Sequence, residues 1–316
     1  MMVKVKLFFY LKKATANRNV ALNQVKRLIS IGRKSFGADF LRCIVCNKGA
    51  SYLNDQNATY TVLNQDHDSP VVISLPHSGT WLPESMKQAL LPTAVLANTD
   101  WFLPELYRFL PAAGFTTLIN HVNRYVADPN RAVTYDPYHD YRSATIYQRN
   151  TFDHPLYATP LTTAQMQQRV RMFYWPYRHQ LSRLLDQKKA KFGHAYLIDL
   201  HSFAQYPYYP GVNSKAIVLG NDHDKTSSKA FRQVLTNRLI DQDWTVENNF
   251  PFRGGDITRY YGHQQGITAI QIELRYDQYI AHRTFGEEVL TQYQPDIFRQ
   301  AQRRLAFLTD FLNRLD

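Results

Sequence analysis

Cysteine is nearly absent. Two occur in 316 residues, Cys43 and Cys46. No disulfide framework can be built from them, which fits a reducing compartment and a cytoplasmic location. They form an isolated C-x-x-C without a second pair or a nearby histidine, so they read as incidental thiols rather than a metal site. Long apolar runs are missing too. The stretch Leu7–Leu11 is too short for a membrane span or a signal-peptide core, and no small-residue cleavage pattern follows it. No stable membrane anchor is expected. Internal repeats and low-complexity blocks are absent, and so is a compact H-E-x-x-H, the most local zinc signature.

Acidic residues are scarce in one region. The chain carries 37 Lys and Arg against 26 Asp and Glu, a net charge of +11. Residues 1–50 hold eleven of those cations and one acid, Asp39, which leaves +1 for the remainder. The basic character belongs to an N-terminal extension, residues 1–56. The near-neutral body lacks the many cations that a duplex-binding surface needs, so no nucleic-acid partner is expected. In the extension, basic residues interleave with Leu22, Val25, Leu28 and Ile29. A basic amphipathic surface helix, a transit-like segment or a start codon placed too far upstream would share that pattern. We expect the extension to be dispensable.

What is abundant is core material. With 44% hydrophobic and 14% aromatic residues, positions 57–316 can form one sizeable domain. Apolar runs predict strands at Val71–Leu75, Thr116–Asn120, Tyr196–Leu200, Ala216–Leu219 and Thr268–Ile272. Helical spacing predicts helices from Pro83, from Asp100 through Leu110, across Val170–Leu185 with a kink at Pro176, over Thr226–Ile240 and over Asp296–Leu315. The segment from Asp128 to Thr163 has no period and reads as a long ordered loop region where binding residues gather. Alternating strands and helices predict an α/β fold with a mostly parallel sheet flanked by helices. Sites in such folds form outside the carboxyl ends of the strands.

Three strands end in reactive residues: Pro76-His77-Ser78-Gly79, Asp199-Leu200-His201-Ser202 and Gln271-Ile272-Glu273. Residues two apart on a strand share a face, so Asp199 faces with His201 and Gln271 with Glu273. Two neutral imidazoles plus a carboxylate are a common catalytic zinc set. Asp199 is placed to take the second ring N–H of His201 and fix its orientation. Glu273 suits the transfer of a proton from the attacking water to the leaving amine. Each residue also has a plainer reading. A lone histidine after a strand is more often a hydrogen-bonded structural residue, and Glu273 could pair with Arg275. Two histidines, each at a strand end and each followed by serine, favour the metal reading.

Further motifs occur in register with these: Asn98-Thr99-Asp100-Trp101, Asn123-Arg124-Tyr125, Asp128-Pro129-Asn130-Arg131 and Gly254-Gly255-Asp256-Ile257-Thr258-Arg259-Tyr260-Tyr261-Gly262. Together, from about Thr61 to about Tyr279, they resemble the N-formylglutamate amidohydrolase (deformylase) family. The resemblance implies a zinc-carboxypeptidase and aspartoacylase type of fold, phosphorylase/hydrolase-like. It implies zinc-dependent hydrolysis of N-formyl-L-glutamate to formate and glutamate, the last step of one route of histidine breakdown.

In the aspartoacylase-like relatives a ligating Glu follows the first His by three residues. Here Thr80 stands at that position, so the acidic ligand must come from elsewhere. Asp100 is the first choice and Glu84 the fallback. The resemblance assigns Asn130 and Arg131 to a substrate carboxylate, with the planar guanidinium suited to a bidentate grip. It assigns Arg124 to the scissile carbonyl and its developing oxyanion. Pro129 replaces the family's usual Leu and leaves these side chains intact. A second substrate carboxylate calls for a second cation, Arg259 by the motif, with Arg253 as the neighbouring candidate.

Two other functions fit the sequence. The same machinery could act on another N-acyl acidic amino acid or a cell-wall amide. Alternatively, the body could be a non-catalytic module, with the extension as a membrane- or nucleic-acid-binding arm.

Overall fold

Two nine-residue strands lie side by side at the middle of the sheet: β4, Ala195–Phe203, and β7, Ile267–Arg275. They belong to a computed structural model of the chain that describes residues 59–136, 140–204, 215–281, 290 and 292–315. The basic extension and the Cys43–Cys46 pair lie outside the described residues. The other strands are β1 (Tyr60–Leu63), β2 (Val71–Leu75), β3 (Thr116–Asn120), β5 (Ile217–Gly220) and β6 (Val246–Asn248). The sheet order is β1-β3-β2-β4-β7-β5-β6. All neighbours run parallel except β1 with β3 and β5 with β7. The mostly parallel α/β fold is therefore as expected. The short strands β1 and β6 carry no strong apolar run and escaped the sequence reading.

The helices are α1 (Glu84–Ala89), α2 (Leu103–Leu106), α3 (Phe109–Ala112), α4 (Thr163–Arg169), α5 (Trp175–Phe192), α6 (Lys229–Ile240), α7 (Asp256–Gly262), α8 (Pro295–Leu305) and α9 (Phe307–Leu312). A π-helical turn, Val170–Tyr174, joins α4 to α5 and brings Pro176 into the first turn of α5. This is the expected restart, since proline donates no hydrogen bond and is tolerated where a helix begins. Ser228 caps α6 by accepting from the Phe231 N–H, so that helix starts later than its apolar spacing suggested. The C-terminal stretch expected as one helix is two, meeting at Ala306. Among the described residues, no helix is long and apolar enough to cross a membrane.

Both faces of the sheet are covered, and the two faces differ. One carries Ile198, Leu200, Ile270, Ile272 and Leu274 against α2, α3, α8 and α9, and stays apolar along its length. The other begins apolar, with Val72, Leu197 and Ala269 packed on Leu181 and Leu184 of α5 and Ile257 of α7. By strand alternation the same rows then continue as Ser74, as Asp199 and His201, and as Gln271 and Glu273. All five are buried. Burying polar groups at the end of a packed row is costly unless they are partnered. That switch from apolar to polar marks the site.

Candidate active site

His201 and Glu273 do not sit past their strands. They lie within β4 and β7 and pair in register, His201 with Glu273 and Asp199 with Gln271. His77 follows β2 by two residues. Asp100 also differs from expectation, because it does not open a helix. Its backbone N–H donates to the His77 carbonyl at 3.1 Å, and Phe102, in a left-handed conformation, turns the chain before α2. The turn directs the buried Asp100 carboxylate to His201, Oδ2 to Nδ1 at 3.0 Å, and to His77 Nδ1 at 3.9 Å.

Among the described residues, His77, Asp100 and His201 form a group that could hold a metal, with ligand atoms within 4.8 Å of one another. The donor set suits zinc, whose catalytic sites take three N or O ligands and leave one position open. The far side of each imidazole supports this use. His77 Nε2 meets Asp128 Oδ1 at 2.7 Å, and His201 Nε2 meets Asp199 Oδ2 at 3.2 Å. A carboxylate on Nε2 fixes the tautomer and leaves Nδ1 to face the shared centre. Glu84, the fallback ligand, is not part of this group: it lies exposed in the first turn of α1, 3.5 Å from Lys87.

The electrostatics are uneven. Burial brings the His77 imidazole down to about 4, with Arg124 adding to the drop and Asp128 opposing it, so it is neutral at neutral pH. Burial would also lower His201, but Asp199 and Asp100 outweigh it and hold this ring well above its ordinary value. Burial pushes the Glu273 carboxyl up to about 7, against the pull of His201 and with the nearby Asp100 carboxylate adding to the rise. Glu273 Oε1 accepts from Gln271 Nε2 at 2.6 Å, whereas Oε2 is buried without a hydrogen-bond partner.

These residues line a cavity of about 1000 Å³ whose walls also include Arg124, Asn130, Arg131, Arg253 and Arg259. Arg124 is buried and clamped. Its Nε and Nη2 donate to Asp128 Oδ2 at 3.2 and 2.8 Å, and Nη1 donates to the Asn98 carbonyl at 3.2 Å. Asn130 Oδ1 accepts from the Ile257 N–H at 2.8 Å, and its Nδ2 lies 3.2 Å from His201 Nε2. A Cβ on Gly255 would come within 2.2 Å of that amide, so the glycine permits the contact. Arg131 donates to the Asn130 carbonyl at 3.0 Å and keeps a buried, unpartnered Nε. Arg259 makes no ion pair among the described residues. Arg253 is 58% exposed and 3.8 Å from Asp222, which sets it at the rim.

Three contributors were not singled out from the sequence. Asp128 lies in a quoted motif but carried no assigned role. Tyr147 donates a short hydrogen bond to the same carboxylate. Arg178 on α5 is buried beside Tyr260 and Tyr261 and bridges the Pro129 carbonyl and Asp256. Only the D-x-N-R spacing hinted at the first; nothing local marks the others.

The mostly parallel sheet and the buried residues on its strands make this an α/β protein with a group suited to a metal and a carboxyl poised beside it. Comparison with known proteins narrows this. The family model for N-formylglutamate amidohydrolase matches residues 69–280. An N-formylglutamate deformylase of Pseudomonas aeruginosa is 32% identical over 253 residues, 78% of this chain and 92% of that enzyme. One of Pseudomonas putida is 27% identical over 248 residues, 75% and 93% of the two chains. The crystal structure of N-formylglutamate amidohydrolase from Ralstonia eutropha JMP134 shares the fold, with a TM-score of 0.67 at 23% identity over 81% of this chain and 99% of that one. The chain belongs to the N-formylglutamate amidohydrolase family, and is thus a hydrolase of linear amide C–N bonds.

Proposed function

We propose that the chain hydrolyses N-formyl-L-glutamate to formate and L-glutamate as a zinc enzyme. One observation carries this reading. A single cavity brings together the His77–Asp100–His201 group, the free Oε2 of Glu273, and the guanidinium groups of Arg124, Arg131 and Arg259. The activity named for the two pseudomonad relatives supports the substrate.

A zinc ion held by His77, Asp100 and His201 would supply Lewis acidity, lowering the pKa of a water and polarising an amide carbonyl. The protein's own groups do the rest. Glu273 takes a proton from the attacking water through Oε2 and returns it to the leaving nitrogen as the C–N bond breaks. The water's hydroxyl ends on the formyl carbon. Arg124, fixed by Asp128, holds the negative charge that develops on the carbonyl oxygen. Arg131 and Arg259 take the two carboxylates, and Asn130 braces His201 against the start of α7. Asp128 and Asp199 keep both imidazoles turned with Nδ1 inward.

The reading extends to a single amidohydrolase domain over residues 57–316, a dispensable extension, and a cytoplasmic role in the last step of histidine breakdown. The deciding experiment combines metal analysis with formate release on the full chain. About one zinc per chain and formate from N-formyl-L-glutamate are expected. Full activity in metal-free protein would sink the proposal.

A second reading keeps the machinery and changes the acyl group. The cavity, about 1000 Å³, has room for an N-acyl amino acid whose acyl group is larger than formyl. A panel of N-formyl, N-acetyl and N-succinyl amino acids separates the two, with the formyl compounds expected to be preferred.

A further inference from the structure

Gln271 is a buried polar residue that the proposed mechanism does not use. It sits on β7, two residues before Glu273 on the same face, and both ends of its amide are engaged. Its Oε1 accepts from the Gly255 N–H at 2.6 Å. Its Nε2 donates to Glu273 Oε1, also at 2.6 Å. The polarity of this bridge follows from chemistry. A backbone N–H can only donate, so the amide oxygen must face Gly255 and the amide nitrogen must face Glu273. Methionine and leucine would each lose both bonds.

The far end of the bridge is the Gly254–Gly255 turn. Gly254 has φ +109, a conformation that glycine adopts freely. The turn is packed without slack: a Cβ on Gly220 would come within 2.5 Å of the Gly254 nitrogen, and one on Gly255 within 2.2 Å of the Asn130 amide. Gly255 leads directly into α7, which carries Arg259, and Arg253 immediately precedes the turn. The segment that presents cations to the substrate is thus one hydrogen bond from Gln271. The carboxyl that moves the proton is one hydrogen bond from its other side.

We propose that Gln271 is a positioning residue that couples the grip on the substrate's side-chain carboxylate to the placement of Glu273. This rests on the reading of Glu273 as the proton carrier and of Arg259 as the cation for the side-chain carboxylate, with Arg131 on the other carboxylate. Binding of a carboxylate at Arg259 settles the turn, the turn fixes the Gln271 amide, and the amide holds Oε1 so that Oε2 faces the reacting centre. Binding energy from a remote part of the substrate is thereby expressed in turnover rather than in affinity alone.

The test uses the full-length Gln271→Met variant, which keeps the side-chain volume and removes both hydrogen bonds. Two substrates are compared, N-formyl-L-glutamate and N-formyl-L-glutamine, whose neutral amide replaces the side-chain carboxylate. The native enzyme is expected to turn over the glutamine compound with a kcat ~10-fold lower. In the variant, kcat for N-formyl-L-glutamate falls ~10–100-fold, the range for a lost supporting partner. The two kcat values then agree within about twofold, while the KM difference persists because Arg259 is intact. Equal fractional losses for both substrates would mark Gln271 as merely structural and overturn the coupling.

A crystal structure of the variant gives a second readout that needs no turnover. Glu273 is expected to leave its place and the Gly254–Gly255 turn to shift; if both stay unmoved, the coupling is wrong. Native protein that releases no formate from N-formyl-L-glutamate would instead defeat the proposed function, and the crystal structure would still decide the role of Gln271. If Gln271→Met does not fold, Gln271→Asn keeps the amide, shortens its reach by one carbon and carries the same readouts.

Discussion

Asp128 joins His77 to Arg124. One carboxylate oxygen meets His77 Nε2 at 2.7 Å, and the other accepts from Arg124 Nη2 at 2.8 Å. Burial would raise this carboxyl, but His77, Arg124 and Arg131 outweigh it and hold it well below the ordinary range, so it is charged at any working pH. A group that orients both a metal-facing imidazole and the guanidinium for the oxyanion should affect both when changed. Asp128→Asn keeps the volume and removes the charge. We expect ~10–100-fold weaker metal binding together with a fall in kcat. Chelator competition and formate release read the two. Native zinc affinity with native turnover would show that Asp128 only fills space.

Glu273 should separate metal binding from turnover. Its Oε2 is free of hydrogen bonds, and it is not one of the three clustered ligand candidates. Glu273→Gln keeps the shape and removes the base. Turnover is expected to fall ~10²–10⁴-fold with zinc content unchanged. Loss of zinc in this variant would make Glu273 a ligand instead.

How much of this was legible in the sequence depends on what each residue signals locally. The boundaries of β2 and β3 were read correctly because each is a short run bounded by turn residues. His77, His201 and Glu273 stand out because reactive side chains follow directly on apolar runs. Asp100 was misread as a helix start, since an acid before an apolar stretch resembles an N-terminal signal whether or not the chain turns away. Asp128, Tyr147 and Arg178 act through contacts closed only by folding. Arg178 reaches Asp256, 78 residues away. Spacing along the chain carries no trace of such a pair.

Metal uptake should release protons. In the metal-free protein His201 is held protonated above its ordinary pKa by Asp199 and Asp100, against the effect of burial. Glu273 sits at about 7 because of burial. An incoming dication must displace the proton from His201 and favours the ionised form of Glu273. Between about one and two protons per zinc are therefore expected at pH 7. The sign follows: apparent affinity rises with pH through neutrality and is lost in acid. Calorimetry in buffers of different ionisation enthalpy counts the protons, and zinc binding without proton release would contradict the assignment of His201.

The substrate cations should act mainly on binding. Arg131 has a buried Nε without a partner and is one of the residues that line the cavity. Lysine cannot reproduce a planar two-point grip on a carboxylate. For Arg131→Lys we expect KM for N-formyl-L-glutamate to rise ~10-fold or more, with kcat changed less, as initial rates over a substrate series would show. A fall in kcat at constant KM would shift Arg131 from holding substrate to stabilising the reacting centre.

The N-terminal extension carries nearly all of the net charge and none of the site motifs. The family match begins only at residue 69. Among the described residues that line the cavity, none precedes His77. Deleting residues 1–56 should therefore leave kcat, KM and zinc content within about twofold of the full chain, well inside the effect of any supporting partner. The same pair of proteins, full and truncated, can be compared for binding to anionic vesicles and to duplex DNA. Charge-driven binding to either, if present, should disappear with the extension and weaken with salt. Loss of turnover with zinc retained would give the extension a part in catalysis and revive the reading of the chain as a body that depends on its basic arm.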